Sequence, residues 1–363
     1  MAGKMNKKIV LEDGTEFLGY GFGAQDVERV CEMVFDTSMA GYQEIVSDPS
    51  YMGEAVVMTY PLIGNYGITD EDFEAKTPTI GALIVREYND FPSNFRYTKT
   101  LAEYLEENHI PGIYGMDTRE ITRRIRDNGT CKVILTDAET PTEKALETIK
   151  NTALPANLVE AVSCKKKWYA RTANAKFSVV AIDCGIKLSL VHTLNAMGCN
   201  VTVLPAKATA EEVEKMAPDG VLISQGPGNP ADAAGVVELI KELRGKYPMF
   251  GVGLGCQLIA LSYDAKTSKM KFGHHGCTHP VKNLATGNIE TVGQNHNYVV
   301  DADSIGGTDL EVTHVNILDK TVEGVKCEKD RVFAVQFEPT TMSGPNCRAN
   351  LYEQFIALMK EGK

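Results

Sequence analysis

The chain has 363 residues, of which 43% are hydrophobic and 23% are charged, as is usual for a globular protein. Its formal net charge of −11 argues against nucleic acid as a partner, because phosphate binding needs clustered lysine and arginine. The nine cysteines are scattered and no apolar stretch has the length of a membrane span, so we expect a soluble cytoplasmic protein with reduced thiols and no membrane partner.

The first part of the chain, residues 1–150, predicts a mixed α/β domain. Asp13 and Gly14 separate two short apolar runs in "KKIVLEDGTEFLGY", a pattern typical of a β-hairpin. The segment "TLAEYLEENHI" predicts a helix with its apolar residues on one face. A second helix, in "DTREITRRIRDNG", is expected to end at Gly129.

Residues 151–175 predict a linker, because "SCKKKWYARTANAK" is basic and has little hydrophobic periodicity. The remainder, residues 176–363, predicts a second domain. Its apolar strands "FSVVAID", "CNVTVLP", "DGVLIS" and "PMFGVG" alternate with helical segments, which indicates a mostly parallel sheet flanked by helices. After Tyr263 the pattern becomes rich in strands, and a helix closes the chain.

Two glycine-rich segments follow strands of this predicted sheet, where ligands bind in such folds. In "SQGPGNP", Gly226 and Gly228 allow the backbone to approach a ligand and offer N–H groups to an anion. An ordinary Pro-Gly turn explains the same residues equally well.

The second segment is "MFGVGLGCQLIAL", a strand-turn-helix elbow of the kind that presents a nucleophile at its apex. The apex residue here is Gly253, which has no side chain. Cys256 lies one helical turn further on, where a small buried cysteine is a better explanation than a nucleophile. The glycine pattern does not complete a dinucleotide-binding fingerprint.

Histidines cluster in "KFGHHGCTHP", where the spacing of His274, His275 and His279 resembles a metal site. We interpret this segment as a glycine-broken loop without a nearby carboxylate, so we expect structural hydrogen bonds and no metal. The segment "GQNHNYVVD", which contains His296, is expected at a strand end as either a polar ligand clamp or a turn.

Read together, these segments resemble the small subunit of carbamoyl-phosphate synthase over nearly the whole chain. "VFDTSMAGYQEIVSDPSY", "TYPLIGNYG" and "DTREITRRIRDNG" are similar to its N-terminal signatures, and "SQGPGNP", the elbow, "KMKFGHHGCTHPV" and "QNHNYVVD" follow in family order. The resemblance implies a class I glutamine amidotransferase domain behind a subunit-specific N-terminal domain. It also implies a large-subunit partner, which uses ATP and bicarbonate to make carbamoyl phosphate for arginine or pyrimidine biosynthesis, and no cofactor in this chain.

The resemblance further implies that the family's Cys-His-Glu triad is substituted. Its three positions match Gly253, Glu338 and Thr340 of this sequence. Glycine cannot attack a carboxamide, and a carboxylate is a much weaker base than imidazole near neutral pH. Because triad members act as a unit, we expect glutamine hydrolysis to be absent.

The family's glutamine pocket is carried over in part. Its positions match, by resemblance, Ser38, Gly226, Gly228, Leu254, Gln257, Asn295, Asn297 and Tyr298. Gly226 and the Leu254 N–H would be the oxyanion donors. Asn297 departs from a family glycine and adds a side chain where the backbone of the ligand should lie, so any glutamine binding is expected to be weakened.

Three functions follow from these observations. The first is a structural partner of the large subunit in ammonia-dependent carbamoyl phosphate synthesis. The second is a regulatory pseudoenzyme whose altered pocket binds a small molecule, with Glu338 and Asn297 as its new polar groups. The third is a glutaminase that uses Cys256 as a relocated nucleophile, with His296 or Glu338 as its base.

Overall fold

The computed structural model describes residues 4–339 and 347–362 of the chain. The chain divides into two compact units, Met1–Pro155 and Ala156–Lys363, each with a hydrophobic core of its own. Within the described residues, no helix combines the length and the apolar character that crossing a bilayer requires.

The first unit contains short strands and helices around one barrel. Its strands are β1 (Lys7–Leu11), β2 (Glu16–Gly23), β3 (Arg29–Asp36), β4 (Glu54–Met58), β5 (Leu62–Ile63), β6 (Ala82–Ile84), β7 (Glu87–Tyr88), β8 (Pro111–Tyr114) and β9 (Cys131–Asp137). Its helices are α1 (Tyr42–Ser47), α2 (Leu101–Glu107), α3 (Thr118–Asn128) and α4 (Thr142–Asn151). Among the described residues, seven of these strands close into a barrel in the order β1-β2-β8-β6-β4-β3-β9.

Strand β9 closes the barrel, because it pairs antiparallel with both β1 and β3. Its Leu135 lies opposite Ile9 of β1 and opposite Arg29 of β3. Val34, Val56 and Leu83 of neighbouring strands are buried together in the core. The mixed α/β prediction for this region did not include barrel closure, which joins strands more than one hundred residues apart in the sequence.

The local predictions in the first unit are confirmed. β1 and β2 form an antiparallel hairpin, and Gly14 in its turn has φ +86. Helix α2 begins after Thr100, which forms a capping box with Glu103, because each residue's side chain accepts the other's backbone N–H. Helix α3 ends at Asn128, and Gly129 follows with φ +102.

The second unit contains the remaining elements. Its strands are β10 (Trp168–Ala170), β11 (Phe177–Asp183), β12 (Cys199–Pro205), β13 (Gly220–Ile223), β14 (Met249–Val252), β15 (Thr267–Asn283), β16 (Ile289–Val300), β17 (Glu311–Asn316), β18 (Val322–Cys327) and β19 (Val332–Val335). Its helices are α5 (Leu158–Val162), α6 (Leu188–Ala196), α7 (Ala210–Glu214), α8 (Ala234–Leu243), α9 (Leu254–Ser262), α10 (Ala302–Ile305) and α11 (Cys347–Glu361).

These strands form one ten-stranded sheet in the order β10-β12-β11-β13-β14-β19-β18-β16-β15-β17. Strands β12, β11, β13, β14 and β19 run parallel, and the flanking pairs are antiparallel. Helices cover both faces: Val180 and Ile182 of β11 pack in one core with α8 and α9, whereas Val179 and Ala181 pack in the other with α6 and α11. The predicted α/β architecture with a mostly parallel, helix-flanked sheet is confirmed.

Two segments of this unit gain structure from pairing and burial that their sequences alone do not show. The predicted linker, residues 151–175, contains α5 and the short strand β10, which pairs antiparallel with β12 through Tyr169 and Thr202. The segment "RVFAVQFEP" shows an alternating pattern in the sequence, yet the four residues of β19 are all buried. β19 lies between β14 and β18 with a core on each face, so both sets of its side chains are covered.

Candidate functional site

The candidate site lies at the carboxyl edge of the parallel strands. The chain runs from β11 to β12 on one side and then to β13 on the other, so the strand order reverses beside β11. Ligands in open α/β sheets bind beyond the strand ends at such a reversal. The loops after β11, β13, β14 and β19 all emerge at this edge.

Gly226, in the loop after β13, lies too close to the neighbouring backbone for any side chain. A Cβ on Gly226 would collide with the carbonyl oxygen of Cys184, which follows β11. Asp183 fixes that second loop, because its Oδ1 accepts the backbone N–H groups of Gly185 (2.9 Å) and Ile186 (2.8 Å). Gly228 has φ +85, a conformation that favours glycine. The two loops therefore present closely packed backbone at the sheet edge.

The elbow after β14 has the predicted form. Gly253 has φ +55 and ψ −117 and directly precedes α9, which begins at Leu254. The Gly253 N–H donates to the carbonyl oxygen of Val335 on β19 at 2.9 Å. A Cβ at this apex would lie 3.0 Å from Cβ of Gln225, so the apex faces Gln225 at close range.

Three buried glutamines surround the elbow. Gln257 Nε2 donates to the carbonyl oxygen of Tyr298 at 2.7 Å and to Oε1 of Gln336 at 3.0 Å. Both side-chain polar atoms of Gln225, Oε1 of Gln257 and Nε2 of Gln336 lack a hydrogen-bond partner among the described residues. Buried polar atoms normally have partners, so this group offers donors and acceptors to a ligand. Gln225 lies in the quoted segment "SQGPGNP" and Gln336 directly follows β19, but neither residue has a local pattern that identifies it as a site residue.

Glu338 follows β19 and forms a buried ion pair. Its Oε2 lies 3.6 Å from Nζ of Lys187, the residue before α6, and both side chains are buried. The Glu338 backbone N–H donates to the carbonyl oxygen of Gly293 at 2.8 Å, which joins this segment to β16. Lys187 carries no local signal for this role, because it stands more than one hundred and fifty residues away from Glu338 in the chain. Thr340 lies outside the described residues.

The pocket residues of β16 contact His275 on the paired strand β15. Oδ1 of Asn295 lies 2.9 Å from Nδ1 of His275, and Oδ1 of Asn297 lies 3.1 Å from its Nε2. The structure thus directs the Asn297 side chain toward His275, and the segment is a strand and not a turn. These residues remain predicted pocket residues.

The other predicted pocket residues fall in both units. Leu254 is adjacent to Gly226, since its Cδ2 would lie 3.1 Å from a Cβ built there. Ser38 belongs to the first unit, where its backbone N–H donates to Oδ1 of Asp36 at 2.6 Å. The elbow, the loop containing Gly226 and Gln257 are therefore brought together within the second unit.

Cys256 is part of the hydrophobic core beneath the elbow. Its side chain has no exposed surface and packs in the core on the α9 face of the sheet. Burial raises the pKa of the Cys256 thiol far above its ordinary range, and the charge of Glu323 adds to that shift. A thiol that stays protonated at neutral pH is a poor nucleophile.

The histidine segment is a strand, which corrects the expectation of a loop without a carboxylate. His274 lies on β15 directly opposite His296 on β16, and their rings are 5.0 Å apart. Asp319, before β18, accepts from Nε2 of His274 at 2.8 Å, and Oε1 of Glu323 on β18 lies 3.5 Å from its Nδ1. The carboxylates come from a later part of the sequence, so local reasoning could not find them.

These contacts set the charge of the histidines. Burial lowers the pKa of His274, but its contacts with Asp319 and Glu323 outweigh burial and raise that pKa to about 9. Burial and the charge of His274 lower the pKa of His279 to about 4. The same two causes lower the pKa of His296 well below its ordinary value, so His296 is neutral at pH 7.

Comparison with known proteins matches both units. Residues 9–135 match the family model "Carbamoyl-phosphate synthase small chain, CPSase domain", and residues 180–358 match "Glutamine amidotransferase class-I". A carbamoyl phosphate synthase small chain of Fusobacterium nucleatum subsp. nucleatum is 48% identical over 351 residues, which are 97% of this chain and 97% of that protein.

A second relative, the carbamoyl phosphate synthase small chain of Staphylococcus haemolyticus, is 48% identical over 355 residues, which cover 98% of this chain and 96% of that one. Among solved structures, a glutamine amidotransferase from Thermotoga maritima has 16% sequence identity and a TM-score of 0.37, over 52% of this chain and 84% of that chain.

Proposed function

This chain belongs to the family of carbamoyl-phosphate synthase small chains, and we propose that it has lost glutamine hydrolysis and acts as a structural partner of a large subunit. In that role the large subunit makes carbamoyl phosphate from ATP, bicarbonate and free ammonia. The observation that carries the proposal is Gly253, because the apex of the elbow offers no nucleophile.

The residue at the position of the family's catalytic histidine supports the same conclusion. A nucleophilic thiol needs a neighbouring base that can become a cation and stabilise the thiolate. Glu338 cannot become a cation, and it is already paired with Lys187 in a buried site. Loss of the nucleophile alone removes nearly all chemistry from such a triad, and here a second member is also replaced.

The test is to copurify this chain with its large subunit, then to measure carbamoyl phosphate formation from glutamine and from ammonium separately. We expect activity with ammonium and background activity with glutamine. The isolated large subunit is the control for any contribution of this chain. Activity with glutamine overturns the loss of hydrolysis, whereas failure of the two chains to associate overturns the structural role.

A second candidate function is a regulatory pseudoenzyme, favoured by the polar atoms of Gln225, Gln257 and Gln336 that lack partners among the described residues. Such a group would bind an amide, a carboxylate or a similar small polar ligand. A thermal-shift screen of amino acids and nucleotides tests this function. A ligand whose stabilisation disappears in Gln225→Ala supports it, and a screen without a stabilising ligand contradicts it.

The third candidate, a glutaminase with Cys256 as nucleophile, is disfavoured by two observations. Cys256 is fully buried and its thiol pKa is raised by burial. A substrate could reach its sulfur only if helix α9 moved away from the core. Glutaminase activity that is abolished by Cys256→Ala would restore this candidate.

A further inference from the structure

Three buried donor groups from three strands converge on one point of the second unit. His274 on β15, His296 on β16 and Glu323 on β18 each bring one ligand atom to within 4.8 Å of the others. His274 and His296 are 7% exposed and Glu323 is 0% exposed. This cluster borders the predicted glutamine pocket, because the Tyr298 carbonyl that accepts from His296 also accepts from Gln257. The inference does not rest on the proposed function.

The cluster has more lone pairs than its hydrogen bonds satisfy. Nδ1 of His274 and Oε2 of Glu323 are both buried and lack a hydrogen-bond partner among the described residues. The Thr321 hydroxyl lies 2.8 Å from Oδ1 of Asp319 and 3.2 Å from Oε1 of Glu323, so its one hydrogen is shared between the two carboxylates. A buried carboxylate oxygen without a partner costs free energy unless a cation binds it.

The tautomer of His296 adds a third lone pair. Its Nδ1 lies 2.9 Å from the carbonyl oxygen of Tyr298, which can only accept, so Nδ1 carries the hydrogen. Nε2 lies 3.0 Å from Oε1 of Gln294, which also only accepts, but the Tyr298 carbonyl is fixed backbone whereas the Gln294 amide can turn. In neutral His296 the lone pair is therefore on Nε2, where it faces an oxygen that cannot donate to it. A proton on Nδ1 of His274 satisfies one of these three positions, whereas a divalent cation displaces that proton and binds all three.

We propose that His274, His296 and Glu323 bind one divalent transition-metal ion that joins the β15-β16 pair to β18. Two imidazole nitrogens and one carboxylate oxygen are a donor set typical of Zn²⁺. Bonds of about 2.1 Å to a tetrahedral Zn²⁺ place ligand atoms ~3.4 Å apart, so small side-chain rotations close the set. The Gln294 amide is the group that the ion displaces from His296.

The residues around the cluster have the arrangement that metal-binding histidines require. Asp319 accepts the Nε2 hydrogen of His274 at 2.8 Å, and the Tyr298 carbonyl accepts the Nδ1 hydrogen of His296 at 2.9 Å. Such outer contacts fix the tautomer and orientation of ligating imidazoles. The Asp319 side chain is 39% exposed, so an ion can reach the cluster from solvent.

The test is a titration of the chelator-treated full-length chain with ZnCl₂ by calorimetry. We expect one ion per chain with a dissociation constant below about 1 μM, on the order of known protein zinc sites. Saturating Zn²⁺ should raise Tm by about 5 °C, because an ion that binds the folded chain stabilises it by mass action. No binding, or binding without a rise in Tm, overturns the proposal.

Substitutions of the proposed ligands and of Asp319 test which residues bind the ion. Glu323→Gln and His296→Asn should each weaken Zn²⁺ binding at least tenfold, and Asp319→Asn, at a partly exposed position, should weaken it about tenfold as a positioning residue. Cys277→Ser is the matched control, because Cys277 is exposed on the same strand and is the obvious adventitious ligand.

The absorption spectrum of bound Co²⁺ distinguishes the site formed by His274, His296 and Glu323 from adventitious binding at Cys277. A spectrum without a thiolate-to-cobalt charge-transfer band, unchanged in Cys277→Ser, supports the histidine-carboxylate site. A thiolate band that disappears in Cys277→Ser overturns it, as does Zn²⁺ affinity unchanged in both Glu323→Gln and Asp319→Asn. Asp319→Asn keeps the test decisive if Glu323→Gln does not fold.

Discussion

Two features of position 253 disfavour any residue with a side chain. Its φ of +55 lies where residues with a Cβ are strained, and a Cβ would lie 3.0 Å from Cβ of Gln225. We therefore expect Gly253→Ala to lower the free energy of unfolding by about 1–3 kcal/mol. Urea denaturation followed by circular dichroism measures this change.

Two other glycines of the same unit distinguish the cost of backbone strain from the cost of the contact with Gln225. Gly287 has φ +77 and no heavy atom within 4 Å of a built Cβ, so Gly287→Ala reports the backbone cost alone. Gly235, in helix α8, also has open space around its Cβ position, so Gly235→Ala should stabilise by up to about 1 kcal/mol. If Gly253→Ala costs no more than Gly287→Ala, the contact with Gln225 has no energetic weight.

The burial of Cys256 predicts that it is chemically inert. Brief treatment of the native chain with iodoacetamide at neutral pH should modify the exposed Cys277 and leave Cys256 unmodified, because burial keeps the Cys256 thiol protonated. Peptide mapping by mass spectrometry measures the alkylated fraction of each of the two cysteines. The same reaction in denaturant, where both thiols are accessible, is the control. Selective alkylation of native Cys256 would contradict this account of the core.

At the scale of elements, β17 carries a buried histidine that couples the antiparallel end of the sheet to pH. The His314 ring lies 5.4 Å from the Phe337 ring, and burial lowers the pKa of His314 to about 4. The unfolded chain binds this proton near pH 6.5, so stability should be full above that pH and decline as the pH falls toward 4. We expect protonation of His314 to lower the free energy of unfolding by about 3 kcal/mol in total.

Urea denaturation at several pH values tests this element. In His314→Gln the fall in stability between pH 6.5 and 4 should become shallower, leaving the part that His279 and His296 contribute through their own lowered pKa values. Thr313→Val removes the hydroxyl that lies 2.9 Å from Nδ1 of His314 and keeps the titrating ring. Its free energy of unfolding should therefore be shifted by the same amount at every pH, with the same slope against pH as in the parent chain. Equal slopes in His314→Gln and the parent chain would contradict the prediction.

Elements were predictable where the signal is local. The Asp13-Gly14 turn fixes the β1-β2 hairpin, and Thr209 with Glu212 caps α7, because those side chains act within four residues. Strand β10 was not predicted, since its three residues gain strand structure from pairing with β12 and carry little pattern of their own. The histidine segment of β15 has the sequence pattern of a loop because its glycines interrupt the periodicity, although pairing with β16 supplies its hydrogen bonds.

At the scale of the whole molecule, the candidate site was predictable in its backbone and not in its partners. Strand-turn-helix signals located the loop with Gly226 and the elbow with Gly253, because the carboxyl ends of parallel strands share one edge. Lys187 beside Glu338, and Asp319 beside His274, depend on contacts between segments far apart in the sequence. Closure of the barrel by β9 depends on such contacts too.

The closed barrel predicts that the first unit folds without the second. A fragment of residues 1–155 contains all seven barrel strands and its own buried core, and closure leaves the barrel no unpaired edge for aggregation. We expect this fragment to be monomeric by light scattering and to unfold in one cooperative transition. Aggregation or a transition without cooperativity would show that its core is insufficient alone.

A fragment that folds would also test the proposed partnership with a large subunit. The N-terminal signatures of the chain lie in this unit, and its residues 9–135 match the family model that is specific to the small chain. The 1–155 fragment, added in excess, should therefore compete with the full chain for the large subunit in a pull-down, and the 156–363 fragment is the matched comparison. Competition by the second fragment alone would move the contact to the amidotransferase-like unit. The proposed loss of glutamine hydrolysis would be unaffected by that outcome. It depends on Gly253 and Glu338 of the second unit, whichever surface binds the large subunit.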